Sequence, residues 1–184
     1  MNTGLVRCLR AAVLALAPLA ASAQAPEPSS SGVVQLDYLR YEGRYYEIAR
    51  LPNFRQRNCA SDVVTTFLRR TDGDVSIVYQ CVESDRTWIM DIGRLAIAPD
   101  ARPGELNFRP DLIGWSPWYW GTYRLIELAG DFSYAMIGDT GGSRLWILSR
   151  TRQMSPDVYD RLVARAAERG YDTSRLVRSA QPGI

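Results

Sequence analysis

Histidine and lysine, two side chains that often take part in enzyme chemistry, are missing from this sequence. All 22 of its basic residues are arginine, and it contains no histidine and no lysine. This excludes a histidine base, a histidine metal ligand and a lysine Schiff base. Asp72 and Asp74 flank Gly73, where turn chemistry accounts for both carboxylates. Because there is also no glycine-rich phosphate loop and no metal-ligand spacing, we expect no enzyme activity, no metal and no cofactor.

The first residues have the pattern of an export signal. Arg7 and Arg10 precede the apolar run 11–20, and small residues over 21–25 offer cleavage sites. We therefore expect a signal peptide over 1–23, a flexible leader over 24–34 and a location in the periplasm. Cys8 lies before the apolar run, not at its end, so we do not expect it to carry a lipid anchor.

The charge balance limits the class of partner. Without Arg7 and Arg10, 20 of the 22 basic residues face 20 acidic ones. A balanced chain argues against a nucleic-acid binder. At 184 residues the sequence accommodates one domain with a sizeable core.

Two cysteines remain, Cys59 and Cys81, and in an oxidising compartment an even count favours a disulfide. The predicted strand register argues against it. If Asp72-Gly73 is a two-residue hairpin turn, Cys81 faces Val64, and Cys59 lies further along on the opposite face of the strand. A β-bulge would bring the pair together. The sequence leaves both possibilities open.

The hydrophobic pattern predicts many short strands and one helix. Alternation and turn residues indicate strands over about 43–51, 60–69, 74–81, 86–98, 105–109, 119–128, 132–138 and 144–150. Ser155 as N-cap, Pro156 at the first position and Asp157 begin a helix that ends at Gly170. A last short strand is possible within 172–177. Eight short strands indicate a sandwich or a barrel, and periodicity alone does not choose between them.

Two segments resemble the ends of a lipocalin barrel. The first is Gly43-Arg44-Tyr45, a glycine followed by an aromatic opening strand, and the second is the late strand 145–150, which ends in Arg150. Over about residues 35–180 the chain resembles the lipocalins, and specifically the bacterial lipocalins related to apolipoprotein D. The resemblance implies an all-β fold, an eight-stranded up-and-down antiparallel barrel around a cavity, with the C-terminal α-helix packed outside.

The family usually has tryptophan where this chain has Tyr45. The resemblance implies that Arg150 stacks on this ring and bonds backbone carbonyls at the closed end of the barrel. We therefore interpret Gly43, Tyr45 and Arg150 as a structural signature.

An inward Tyr45 and an inward Arg150 fix which neighbouring side chains face the cavity, because side chains alternate along a strand. We predict as ligand contacts Glu47, Ala49, Trp146 and Leu148 and, by extending the alternation, Tyr123, Leu125, Ala135 and Ile137. Trp146 is the strongest candidate for a wall on which an acyl chain lies, although plain core packing also explains it. An inward Glu47 needs a partner, for which Arg124 and Tyr123 are candidates.

The open end of the barrel collects apolar and basic residues on its loops. They include Phe54, Arg55, Arg57, Trp115 and Trp118. Apolar loop residues of this kind cap a cavity, contact a membrane or contact a partner, and arginines beside them suit a carboxylate or a phosphate. A local cluster that packs only on itself is the alternative.

These patterns and the resemblance together lead to one expected function. We expect a carrier of a small hydrophobic ligand, a fatty acid or a lysophospholipid, with transient contact to a membrane surface. The alternatives are an envelope interaction module with a filled barrel and an enzyme on the same fold.

Overall fold

The computed structural model describes residues 41–96, 105–110 and 121–182. Within these ranges the chain forms nine strands and one α-helix. Their bounds are β1 Gly43–Arg50, β2 Cys59–Arg69, β3 Val75–Glu83, β4 Trp88–Ala96, β5 Glu105–Pro110, β6 Gly121–Leu128, β7 Tyr134–Asp139, β8 Leu145–Ser149, α1 Pro156–Glu168 and β9 Val177–Arg178, with 3-10 turns at Phe54–Gln56 and Thr173–Arg175. The strand and helix predictions therefore agree with the structure to within a few residues.

The strands form one antiparallel sheet that closes on itself. Its order is β2-β3-β4-β5-β6-β7-β8-β1-β9, and β1 also pairs with β2. Because neighbours in sequence are neighbours in the sheet, β1 to β8 make an up-and-down barrel. The predicted barrel is confirmed.

Two apolar clusters lie on the two sides of this sheet. The interior cluster contains Tyr45, Phe67 and Leu148. The exterior cluster joins Leu145 and Ile147 of β8 to the helix α1, whose Leu162 and Ala166 are fully buried. Alternate residues of β8 therefore serve different clusters, as the predicted helix outside the barrel requires. Pro156 begins α1 as expected, but the Ser155 side chain makes no capping hydrogen bond.

The hairpin between β2 and β3 differs from the prediction and decides the cysteine pairing. Arg70 donates its backbone N–H to Asp74, so three residues, not two, make the turn, with Gly73 at φ +91°. This three-residue loop with a left-handed glycine is a common hairpin connection. Val64 consequently faces Gln80 and not Cys81, a slip that exchanges the faces of the whole strand.

The new register places both cysteines on one face. Two register shifts between Cys59 and Val64, next to Asp62 at φ +50°, then set Cys59 opposite Glu83. Cys59 and Cys81 form a disulfide with their Cα atoms 5.7 Å apart. The bulge that the sequence left open is present, and the register argument against the bridge was wrong because it assumed the shorter turn.

A C-terminal segment, Val177–Gln181, fills the place where β1 and β2 separate. β9 pairs with the end of β1, and Ala180 accepts a hydrogen bond from the backbone of Asp62 in β2. The Gln181 side chain donates to the carbonyls of Glu47 (2.9 Å) and Val63 (2.8 Å), one on each strand. We call this segment the C-terminal strap.

Candidate ligand-binding cavity

A cavity of about 380 Å³ lies inside the barrel, between its closed end and the connection from β1 to β2. This volume falls within the range of about 300–1,000 Å³ usual for small-molecule sites. Most of its wall is apolar and comes from six strands together with residues 53–56. Among the lining side chains are Phe67, Ile77, Leu95, Ile137, Trp146 and Leu148. An alkyl chain is the kind of group that this wall accommodates.

Trp146 has its indole held in place from two sides. Its Nε1–H donates to Gln56 Oε1 at 2.7 Å, and its ring lies 5.6 Å from the ring of Tyr123. With its one polar atom already bonded, the indole offers apolar surface to the cavity. Trp146 is therefore a fixed part of the wall, as predicted from the strand parity.

Gln56 is the centre of the polar network behind this wall. It is 3% exposed. Its oxygen accepts from Trp146 and Asn53, and its amide nitrogen donates to Glu47 (2.6 Å) and Tyr79 (2.9 Å). Two donors and two acceptors are the full capacity of an amide side chain, so Gln56 positions its neighbours and has no group left for a ligand.

Glu47 and Arg50 form a buried ion pair next to Gln56. Arg50 Nη1 lies 2.8 Å from Glu47 Oε1, and Arg50 also donates to the carbonyls of Gln56 and Cys59. Ser179 of the C-terminal strap donates to the same carboxylate oxygen. Glu47 is thus satisfied by Arg50, and neither Arg124 nor Tyr123, our two candidates, is needed for this role.

A β-bulge in β1 explains why Arg50 reaches Glu47. The register between β1 and β8 shifts between Glu47 and Ala49. The shift reverses the alternation, so Ala49 joins the exterior cluster against α1. Our prediction that Ala49 contacts the ligand is therefore wrong.

The mouth of the cavity is formed by residues 53–56 on one side and β4 on the other. Arg55 and Asp91 form an ion pair across it, with 37% and 28% of their side chains exposed. Phe54 also lines the cavity and is 72% exposed. Arg57 does not line the cavity, but its guanidinium lies 4.3 Å from the centre of the Phe54 ring.

Tyr79 presents a hydroxyl group to the cavity beside this mouth. The hydroxyl oxygen accepts from Gln56 and lies 2.9 Å from Cys59 Sγ. A disulfide sulfur carries no proton, so the hydroxyl donates to it. Burial, and next the charge of Glu47, raise the pKa of Tyr79 far above its ordinary value, which keeps the hydroxyl protonated.

The closed end of the barrel carries the predicted signature. The Arg150 guanidinium lies 3.9 Å from the centre of the Tyr45 ring and donates to the carbonyls of Glu42 (2.7 Å) and Arg44 (3.1 Å). Gly43 has φ +103°, a conformation that favours glycine, and an added Cβ would lie 2.9 Å from Arg150 Nη1, so the guanidinium would have to shift. None of these residues lines the cavity.

The structure brings together six of the eleven predicted ligand contacts that lie among its described residues. These six line the cavity: Phe54, Arg55, Tyr123, Ile137, Trp146 and Leu148. Ala135 and Leu125 belong to the interior cluster but do not line the cavity, and Glu47 lies behind Gln56. Trp115 and Trp118 lie outside the described residues.

Five polar lining residues were not predicted: Asn53, Gln56, Thr65, Tyr79 and Asp91. Gln56 lies between two arginines and Asp91 between two apolar residues, so the local sequence pattern does not single out either residue. Tyr79 belongs to β3, and the predicted pairing of β3 with β2 differed from the observed one by one residue. With the three-residue turn, the alternation along β3 would have placed Tyr79 inward, on the same face as Cys81.

In the part of the chain that the structure describes, no helix has the length and apolar character needed to cross a membrane. The same part contains no group of three or more His, Cys, Asp or Glu side chains arranged to hold a metal ion.

Comparison with known proteins identifies the family. A family model described as a lipocalin-like domain matches residues 36–181. The chain is a lipocalin. Membership of this family supports the binding and transport of a small hydrophobic ligand, in agreement with the apolar cavity.

Curated relatives of this lipocalin come from plants and bacteria. It is 31% identical over 149 residues to temperature-induced lipocalin-1 of Arabidopsis thaliana, and the aligned region covers 79% of this chain and 80% of the relative. It is 30% identical over 180 residues to the outer membrane lipoprotein Blc of Escherichia coli K12, covering 97% of this chain and 98% of the relative. The predicted relation to bacterial lipocalins is confirmed.

Solved structures with this fold include lobster apocrustacyanin A1, with a TM-score of 0.64, 16% identity and coverage of 80% of this chain and 81% of that one. The cockroach allergen Per a 4 has a TM-score of 0.62 and 15% identity, with coverage of 83% and 93%. At such identities the likeness shows the fold alone.

Proposed function

We propose that this lipocalin carries a fatty acid or a lysophospholipid in the cell envelope, without catalysing a reaction. The observation that carries the proposal is the largely apolar cavity of about 380 Å³, whose two charged lining residues among those described, Arg55 and Asp91, lie at the mouth. A single-chain amphiphile matches this distribution, because its tail is buried against apolar wall while its head group stays beside Arg55. The relative from Escherichia coli is named an outer membrane lipoprotein, which supports an envelope location, and we place this chain in the periplasm.

The cavity also weighs against the filled-barrel alternative. A module that acted only through its outer surface would have no need of an open interior, since cavities cost stability. The fixed indole of Trp146 and the satisfied Gln56 hold the wall open without a ligand. For the enzyme alternative, the test is whether the pure protein turns over a lipid.

Titration of the delipidated protein with a fluorescent fatty acid and a fluorescent lysophospholipid tests the carrier proposal. We expect saturable binding with a Kd below about 10 μM, equivalent to about −7 kcal/mol. Ile77→Trp should abolish it by filling the cavity, whereas Val78→Trp, one residue along β3 and not part of the lining, should not. Absence of saturable binding, or equal loss in the two variants, would contradict the proposal.

We further propose that the rim of the open end touches membranes when ligand is exchanged. Trp115 and Trp118, with Arg55 and Arg57, carry this proposal from the sequence, because tryptophan favours the membrane interface and arginine favours anionic head groups. Among the described residues, the exposure of Phe54 supports it.

Co-sedimentation with anionic vesicles tests the rim. The double variant Trp115→Ser with Trp118→Ser should lose vesicle binding and keep its ligand affinity in solution. If vesicle binding survives and affinity collapses, the two tryptophans form a lid over the cavity instead.

A further inference from the structure

The two charged side chains that line the cavity, among the residues that the structure describes, are Arg55 and Asp91. They belong to opposite sides of the mouth, and their ion pair ties the connection after β1 to β4. Both are more than a quarter exposed, and ion pairs in such surroundings contribute little to stability because water screens them. Their pairing is therefore exchangeable at little cost.

The neighbouring pair of Glu47 and Arg50 is not exchangeable. Its side chains are 1% and 9% exposed, and Gln56, Ser179 and two backbone carbonyls complete its hydrogen bonds. Removing one partner of such a buried pair is strongly destabilising, because it leaves a buried charge without a counter-charge. Among the residues that the structure describes, a ligand that enters the cavity therefore meets an available cation only at Arg55.

Tyr79 adds an available hydrogen-bond donor next to this cation. Its proton points at a disulfide sulfur, which is a weak acceptor. A carboxylate or phosphate oxygen is a much better acceptor, and the hydroxyl remains protonated because burial raises its pKa. Gln56, another polar residue of the lining, has already used its full hydrogen-bonding capacity.

We propose that an acidic head group takes the place of Asp91 on Arg55 and accepts a hydrogen bond from Tyr79. This proposal rests on the proposed carrier function and goes further: it selects anionic amphiphiles, places their head at the mouth and makes Asp91 an internal competitor of the ligand. The tail then extends past Ile77 towards Phe67 and Leu148, in the apolar part of the cavity.

The competitor role makes an unusual prediction, that removal of a carboxylate strengthens binding. We would measure displacement of a fluorescent probe from the full-length, delipidated protein by palmitate and by hexadecanol, which share a chain length and differ in charge. Asp91→Asn should raise the affinity for palmitate about three- to tenfold, and Arg55→Gln should lower it about tenfold. The affinity for hexadecanol should change less than about twofold in both variants, because hexadecanol carries no charge.

Tyr79→Phe should lower the affinity for palmitate about fivefold, which is the effect of losing one hydrogen bond. Arg69→Gln and Asp160→Asn make the same two charge changes at exposed positions away from the cavity and should leave both ligands unaffected. Thermal melts confirm that each variant is folded before its affinity is compared.

The outcomes separate this proposal from the carrier function. If the wild-type protein binds neither palmitate, nor hexadecanol, nor a lysophospholipid, the carrier function fails. If only the lysophospholipid binds, the carrier function stands and the exchange at Arg55 is overturned. If both bind but Asp91→Asn weakens palmitate, or if Arg55→Gln changes the two ligands by the same factor, the carrier function stands and the exchange at Arg55 is overturned.

Discussion

Replacing Arg150 with alanine removes the group that ties the start of β1 to the closed end of the barrel. The guanidinium stacks on Tyr45 at 3.9 Å and donates at 2.7 Å and 3.1 Å to the carbonyls of Glu42 and Arg44. A cation–π contact at a partly exposed site contributes about 0.5–2 kcal/mol, and hydrogen bonds from a charged donor about 1.5–3 kcal/mol each before water replaces them.

Because water reaches the two carbonyls in the variant, most of the hydrogen-bond contribution is recovered. We therefore expect Arg150→Ala to lower the free energy of unfolding by about 2–3 kcal/mol. For a domain of this size that corresponds to a fall in Tm of about 5–10 °C. Ligand affinity should stay the same, since Arg150 does not line the cavity.

Equilibrium unfolding in guanidinium chloride, with ligand titration of the same samples, measures both quantities. Arg150→Lys keeps the charge but loses the planar fork, and we expect about half of the destabilisation. Arg175→Ala removes the same charge from an exposed position and should have almost no effect. A variant that unfolds like the wild type yet loses ligand binding would refute the structural role of Arg150.

Three further predictions concern stability. Glu47→Gln should destabilise the protein by about 3–5 kcal/mol by leaving Arg50 buried without a counter-charge, and Glu47→Gln with Arg50→Met should recover part of this in chemical unfolding. Reduction of the Cys59–Cys81 disulfide, which spans 22 residues, should lower stability by about 3 kcal/mol, whereas a fully reduced sample that melts unchanged would contradict this. Burial holds the pKa of Tyr41 well above its ordinary value. Stability should therefore persist below a pH of about 10 and fall above it, because the unfolded chain then loses a proton that the folded state retains. In melts at alkaline pH, Tyr41→Phe should flatten this fall in stability.

The fold was predictable because several independent signals in the sequence agree. Alternation and turn residues indicate the strands, and the apolar residues on both faces of β8 require a cover on the outside, which α1 supplies. Arg150 and Tyr45 set the parity at the closed end, and that parity correctly places Trp146 and Leu148 on the cavity wall. At these positions the local sequence pattern and the packing of the whole barrel favour the same structure.

The errors come from single-residue irregularities that a pattern does not reveal. One additional residue in the turn after β2 exchanges the faces of that strand and brings Cys59 to Cys81. One bulge in β1 sends Ala49 outward and brings Arg50 to Glu47. In each case tertiary contacts select a backbone detail whose energy differs little from that of the regular alternative.

The polar part of the site was the hardest to foresee. Gln56, Tyr79 and Asp91 come from three separate elements, and their roles follow from hydrogen bonds between residues far apart in sequence. Spacing along the chain carries no information on such contacts. What the sequence did indicate was the general chemistry of the mouth, through Phe54 and Arg55.

The C-terminal strap has a consequence for the order in which this protein can fold. Ser179 lies 132 residues from Glu47, and the strap supplies the hydrogen bonds that β1 and β2 do not make with each other. The disulfide joins neighbouring strands and needs only a local hairpin, so it can form before the rest of the barrel has folded. Closure of the barrel at Glu47 depends on Ser179, and contacts of such long sequence separation form slowly. A chain shortened before Ser179 would lack the hydroxyl that bonds Glu47 and the Gln181 amide that joins β1 to β2.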